Sequence, residues 1–260
     1  MKVTRLQGLT VVGIVVVVGA LGAVMVGPAP SEPPEHPVFL VEKLDCSPSM
    51  RGVQPNMART ATRITEDAAR VRSVLVAGTF AGDPGRSASP FPVVHRYARA
   101  LNVKDDGTGG NANLGKERLQ RDGKAQGQRV AALFACAGDE HGGGTPLLSV
   151  LAQCAEQLRQ AKIDPDVERR VVLYSDGGII GDGLDVRHGI TDAQIDAAVA
   201  AFVPRLRGLA GARVWVIGAG SGTTIHGPVL DQVHELLRKV VEGAGGKLEG
   251  FTPTSVSYPR

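Results

Sequence analysis

From Leu6 to Ser31 the chain carries no charged side chain, and this stretch constrains the protein more than any other. Its centre, Leu9 to Val26, reads LTVVGIVVVVGALGAVMV. An apolar span of about twenty residues, here Gly8 to Gly27, is long enough to cross a bilayer as a helix. In hydrocarbon the backbone must satisfy its own hydrogen bonds, so helix prevails over the strand preference of the valines. The run is apolar on every face, which suits surrounding lipid better than one side of a core. Lys2 and Arg5 precede it and Glu32 and Glu35 follow it. The positive-inside bias keeps such an N-terminus cytoplasmic and sends the body across. The expectation is a single-pass membrane protein, with residues 1–7 cytoplasmic, 8–27 a transmembrane signal anchor and an extracytoplasmic body. The alternative is a signal peptide whose cleavage releases a secreted body. Against it, the run exceeds a usual signal-peptide core and no small-x-small site precedes the prolines. No cysteine directly follows the run, which speaks against a lipid-anchored form.

Residues 28–37, PAPSEPPEHP, hold five prolines. They forbid helix and favour a stiff polyproline II spacer. A domain over 38–251 and a tail at 252–260 are expected beyond it. With 43% hydrophobic residues the body can build a core and is no disordered polymer. The 34 glycines follow no G-X-Y period, so collagen is excluded. Setting Lys2 and Arg5 aside from the 29 basic residues leaves a body almost balanced by 26 acidic ones. Only 4% of residues are aromatic. A neutral body with little stacking surface makes a poor nucleic-acid binder.

Strands and helices alternate along the body. VFLVEKL at 38–44 reads as a strand, although Glu42 and Lys43 interrupt its apolar character. Met57 to Arg70 is expected to be helical and SVLVAGTF a second strand. FPVVHRYA at 91–98 is a candidate hairpin partner across a loop of turn formers. Residues 104–128 are polar and Gly-rich and read as a mobile insertion or a weak helix. Thr145-Pro146 opens a helix, with Thr145 as its N-cap. Leu147, Leu151, Cys154 and Leu158 then recur at helical spacing. RRVVLYSDGG and ARVWVIGAG are buried strands, while Thr191–Leu209 and Pro228–Glu242 are amphipathic helices. This alternation, with near-continuous apolar strands, predicts an α/β fold: a doubly wound, mostly parallel central sheet flanked by helices.

One constellation carries chemistry. The first strand ends in Asp45-Cys46-Ser47-Pro48-Ser49, Thr145 follows Gly142-Gly143-Gly144, and Asp176 closes the VVLYS strand. Period-two spacing turns three oxygen-bearing side chains of the first stretch toward one point. In a doubly wound sheet the carboxyl ends of neighbouring strands converge and form the ligand crevice. Two carboxylates and three hydroxyls gathered there suit a hard divalent cation. DCSPS, GGGTPL and YSDGG, in this order, resemble the three parts of the metal-ion-dependent adhesion site of von Willebrand factor type A (VWA) domains. The resemblance spans roughly Val38 to Phe251. It implies the Rossmann-like VWA fold and a Mg²⁺ or Mn²⁺ ion, with Asp45, Ser47, Ser49 and Thr145 as direct or near-direct ligands. Asp176 would act through water. It also implies a protein partner that supplies an acidic side chain to an open metal position, as in adhesion or envelope assembly.

Other residues point elsewhere. Ile217-Gly218-Ala219-Gly220-Ser221-Gly222 mimics a dinucleotide loop, yet no helix opens directly behind it, so a close-packed turn is expected. Cys46 with His141 lacks an orienting partner for thiol chemistry. One disulfide is expected in an exported body, pairing Cys136 with Cys154 or Cys46. His95, His188, His226 and His234 lack metal-ligand spacing and read as surface residues. Asp182 and Asp185 read as members of a solvated loop, the alternative being that they shape the rim or contact a ligand. Three functions follow: a metal-dependent binding module rather than an enzyme; a metal-dependent hydrolase such as a phosphatase, on the same carboxylates; or a scaffold subunit whose metal only stabilises loops.

Overall fold

The computed structural model describes residues 38–69, 73–80, 93–96, 111–136, 144–161, 163–221 and 225–253. The apolar run, the proline spacer, His141 and the tail beyond residue 253 lie outside them. Among the described residues no helix is long and apolar enough to cross a membrane.

In chain order the elements are β1 (Val38–Asp45), α1 (Gln54–Ala69), β2 (Val74–Phe80), β3 (Val93–Arg96) and α2 (Asn111–Leu133). Then come α3 (Leu147–Gln160), β4 (Glu168–Tyr174), a short hairpin of β5 (Ile180–Gly181) and β6 (Leu184–Asp185), and α4 (Asp192–Phe202). The chain continues through β7 (Ala212–Ile217) and α5 (Pro228–Gly243) to β8 (Lys247–Thr252). Six strands form one sheet in the order β3-β2-β1-β4-β7-β8. β2, β1, β4, β7 and β8 run parallel, and β3 closes one edge antiparallel to β2. Parallel strands need helical crossovers on the faces. Accordingly, Leu147, Leu151, Ile195, Phe202, Val233 and Leu237 of α3, α4 and α5 bury one face against Val41, Val171 and Val214. Met57, Ala61 and Ile64 of α1 and Val130 of α2 bury the other against Leu40, Leu75 and Val172. A mostly parallel sheet covered on both sides is what the alternation predicts.

Three local readings are refined or changed. Of the two readings of the Gly-rich stretch, insertion or helix, helix holds for most of it, as part of α2, a helix of 23 residues. Its glycines permit close packing on α1: a Cβ at Gly123 would stand 2.9 Å from the Ala69 Cβ, and one at Gly127 2.9 Å from the Thr62 methyl. The Thr62 hydroxyl donates to the Gly127 carbonyl at 3.2 Å. Second, Thr145 is not the cap of α3; Pro146 occupies the N-cap with no side-chain cap bond. Third, β1 is the expected strand, with Glu42 and Lys43 built into it. All eight residues of the strand are buried, and Glu42 accepts hydrogen bonds from the Tyr174 hydroxyl at 2.7 Å and the Thr65 hydroxyl at 2.9 Å.

Candidate functional site

β1 has β2 on one side and β4 on the other, so the crossovers leave in opposite directions there. A crevice opens at such a switch point, at the carboxyl ends of the strands. Asp45 is the last residue of β1 and Asp176 follows β4 by two positions. Both are buried, with 2% and 1% exposure. Asp45 Oδ1 accepts the Ser47 amide at 2.9 Å and Oδ2 accepts the Ser175 hydroxyl at 2.7 Å. Asp176 Oδ1 accepts the Gly178 amide at 3.0 Å. Each aspartate thus closes a short turn, which is the ordinary structural role of Asp at strand ends.

Their proximity is less ordinary. Burial, and next the Asp176 charge, push the Asp45 carboxyl up to about 6, against the hydrogen bonds from Ser47 and Ser175 that favour its charged form. Two buried like charges repel, and either a proton or a cation relieves them. The Ser175 and Ser47 hydroxyls lie against Asp45. Ser47 and Ser49 lie with their Oγ atoms 3.0 Å apart, presented by the 3-10 turn Pro48–Met50.

Thr145 reaches the same end of the sheet through its backbone. Its carbonyl accepts the Ile180 amide at 3.2 Å, just beyond Asp176. The close approach demands glycine at the preceding position: Gly144 has φ +135°, and a Cβ there would fall 2.1 Å from the Ile180 carbonyl oxygen. Thr145 is buried. The task of capping α3 falls to Asp182. Its carboxylate accepts the Leu148 and Ser149 amides at 3.0 and 3.1 Å, and also the Ser149 hydroxyl. Asp182 adopts φ +57°, the only left-handed residue other than glycine among those described. Asp tolerates this conformation better than most residues.

All five expected ligands therefore sit on segments that meet at the carboxyl end of the sheet. Ser175 is a residue that sequence reasoning missed. Ser175 fixes the second oxygen of Asp45, and a serine beside the strand-ending Asp176 was its only signal. Asp182 is a rim-shaping cap rather than a solvated loop residue. Asp185 is exposed and caps the 3-10 turn Val186–His188. The glycine turn after β7 is close-packed as expected: the Gly220 amide donates to the Asp176 carbonyl at 2.8 Å, while α5 begins only at Pro228. His188, His226 and His234 are exposed; the side chain of His95 lies outside the described residues. Cys154 is buried and free and Cys46 is disulfide-bonded, which removes every pairing through Cys154. No three His, Cys, Asp or Glu side chains cluster among the described residues; a cation here would have two carboxylates and hydroxyls as its donors. Hard oxygen donors of this kind fit Mg²⁺ or Mn²⁺.

No family model matches the chain, and no curated protein matches it. Among solved structures it is similar to an aerotolerance-related membrane protein from Bacteroides fragilis NCTC 9343 carrying multiple mutations to serines. The identity is 16% over 81% of this chain and 89% of that one, with a TM-score of 0.38. It is also similar to the pilus adhesin SpaC from Lactobacillus rhamnosus GG in an open conformation. There the identity is 12%, the TM-score 0.43, and the match covers 86% of this chain but 29% of the adhesin. Proximal thread matrix protein 1 of the mussel byssus gives 14% identity over 81% of this chain and 48% of that one, with a TM-score of 0.34.

Proposed function

We propose that this chain is a membrane-anchored, extracytoplasmic binding module that holds a divalent cation between Asp45, Ser47, Ser49, Thr145 and Asp176. Through that ion it would grip an acidic side chain of a protein partner. The observation that carries the reading is the buried pair Asp45 and Asp176 at adjacent strand ends, with the Ser47 and Ser175 hydroxyls against Asp45, which is raised by burial and by its neighbour. An arrangement that repels itself when empty gains most from a cation. Two carboxylates and neutral hydroxyls leave a bound Mg²⁺ electrophilic, and Mg²⁺ ordinarily keeps exchangeable waters. A partner carboxylate can replace one of these.

We read the site as one for binding rather than turnover. Calorimetric titration of the full chain with Mn²⁺ is expected to show one site, lost in Asp45→Ala. A capped Asp-containing peptide is expected to add to the metal-loaded chain alone. Binding of that peptide without metal, or its survival in Asp45→Ala, would defeat the mechanism. Chelator-sensitive turnover of a phosphoester panel would replace it with a hydrolase.

A further inference from the structure

Cys46 stands between two of these proposed ligands, Asp45 and Ser47, and is fully buried and disulfide-bonded. The surrounding backbone is tied from several sides. The Cys46 amide donates to the Phe80 carbonyl at 2.8 Å, which fastens the loop to the end of β2. The Ser47 amide spans Cys46 to reach Asp45 Oδ1, and the Met50 amide donates to the Ser47 carbonyl at 3.0 Å. The covalent bond at Cys46 adds a further tie to the turn that carries Asp45 and Ser47.

A small dication tolerates little error in ligand placement, and ordering a loose loop at the moment of binding costs affinity. Resting on the cation reading above, we infer that formation of the disulfide at Cys46 is the step that makes the site competent. The bond presets the loop of Asp45, Ser47 and Ser49, whereas the reduced chain holds the same ligands loosely. Chemically, two cysteine thiols lose two electrons and two protons as the S–S bond forms. A small-molecule disulfide oxidant accepts them and leaves as two thiols. Cys154 stays outside this exchange. Burial pushes its thiol up to about 11, with Lys43 acting weakly the other way, and thiolate is the exchanging species. The site would then mature only in a compartment where disulfides persist.

The test compares Mn²⁺ affinity of the full chain in three forms: oxidised with oxidised glutathione, purified throughout under dithiothreitol, and Cys46→Ser. Far-ultraviolet circular dichroism of each monitors the fold. Misplacing the support of a metal ligand ordinarily costs about 10–100-fold in affinity. The oxidised chain is expected to bind at least about tenfold more tightly than the other two at unchanged dichroism. Dithiothreitol is expected to leave Cys46→Ser unaffected. Cys46→Val, which fills the buried volume with an apolar group, provides the same comparison if the serine variant does not fold. Equal affinity in the oxidised and reduced chains overturns the inference and leaves the cation site standing. If no form binds Mn²⁺, the cation site falls and the inference falls with it.

Discussion

Glu42 lies in the middle of the central strand, fully buried, with Tyr174 and Thr65 as donors. Burial raises its carboxyl from 4.5 to about 7, against the pull of those two hydrogen bonds. The folded chain therefore keeps a proton that the unfolded chain has already released. This contribution to stability is complete below about pH 4.5 and is lost as pH rises through about 7. Such a group changes stability by up to about 1.4 kcal/mol per pH unit within the window. Glu42→Gln keeps the shape and can donate where the protonated acid did. Its thermal midpoint is expected to vary less than that of the parent between pH 5 and 8, measured by dichroism under chelator. A parent midpoint that rises across this range would contradict the assignment. Burial of Glu42 also explains why the sequence misleads here. A charge inside an apolar run reads as an interruption, whereas the partner that accommodates it, Tyr174, lies 132 positions away.

At the scale of elements, the start of α3 is held by a residue from another part of the chain. Removing a cap usually costs about 1 kcal/mol. Asp182→Ala is expected to destabilise the fold by about 1–2 kcal/mol in urea denaturation, since it strips two helix amides and a serine hydroxyl of their acceptor. Asp182→Asn is expected to recover part of the loss. An unchanged denaturation midpoint in Asp182→Ala would remove its capping role. Contacts of this kind mark the limit of what sequence conveys. β1, β2, β4 and β7 were readable because strands buried on both faces are nearly continuous apolar runs. α3, α4 and α5 were readable from their periodicity, and Thr191 does close a capping box with Gln194. α2 was obscure because it is rich in charges and owes its place to glycines packed on α1. β8, KLEGFT, was missed because an edge strand with a glycine inside it and partial burial throughout gives no clear period. For the candidate site, residue types and order are what the sequence offers, whereas the capping role of Asp182 and the contact of Ser175 with Asp45 emerge only when distant segments meet.

Over the whole molecule, the charge at the switch point couples stability to pH and, on the proposed cation reading, to metal. Asp45, like Glu42, is raised in the folded chain, so its contribution is present below about 3.8 and is lost as pH rises through about 6. A ligand that binds only the folded chain stabilises it by about 2.7 kcal/mol at one hundred times its dissociation constant. Mg²⁺ is therefore expected to raise the thermal midpoint clearly at pH 8 and little at pH 5, where protons compete for Asp45. Scanning calorimetry with Mg²⁺ or chelator at the two pH values checks this, and an equal effect at both would separate the metal from Asp45. The sheet order carries one more consequence. β1 is the first strand described, yet it lies inside the sheet, and its residue Val38 pairs with Glu168, roughly 130 positions further on. A ribosome adding about 5–20 residues per second delivers that neighbour on the order of ten seconds later. Through that interval one side of a strand that ends up buried along its whole length waits open on the nascent polypeptide. Whatever holdase or translocation channel attends its birth must keep that strand from strangers until its partner arrives.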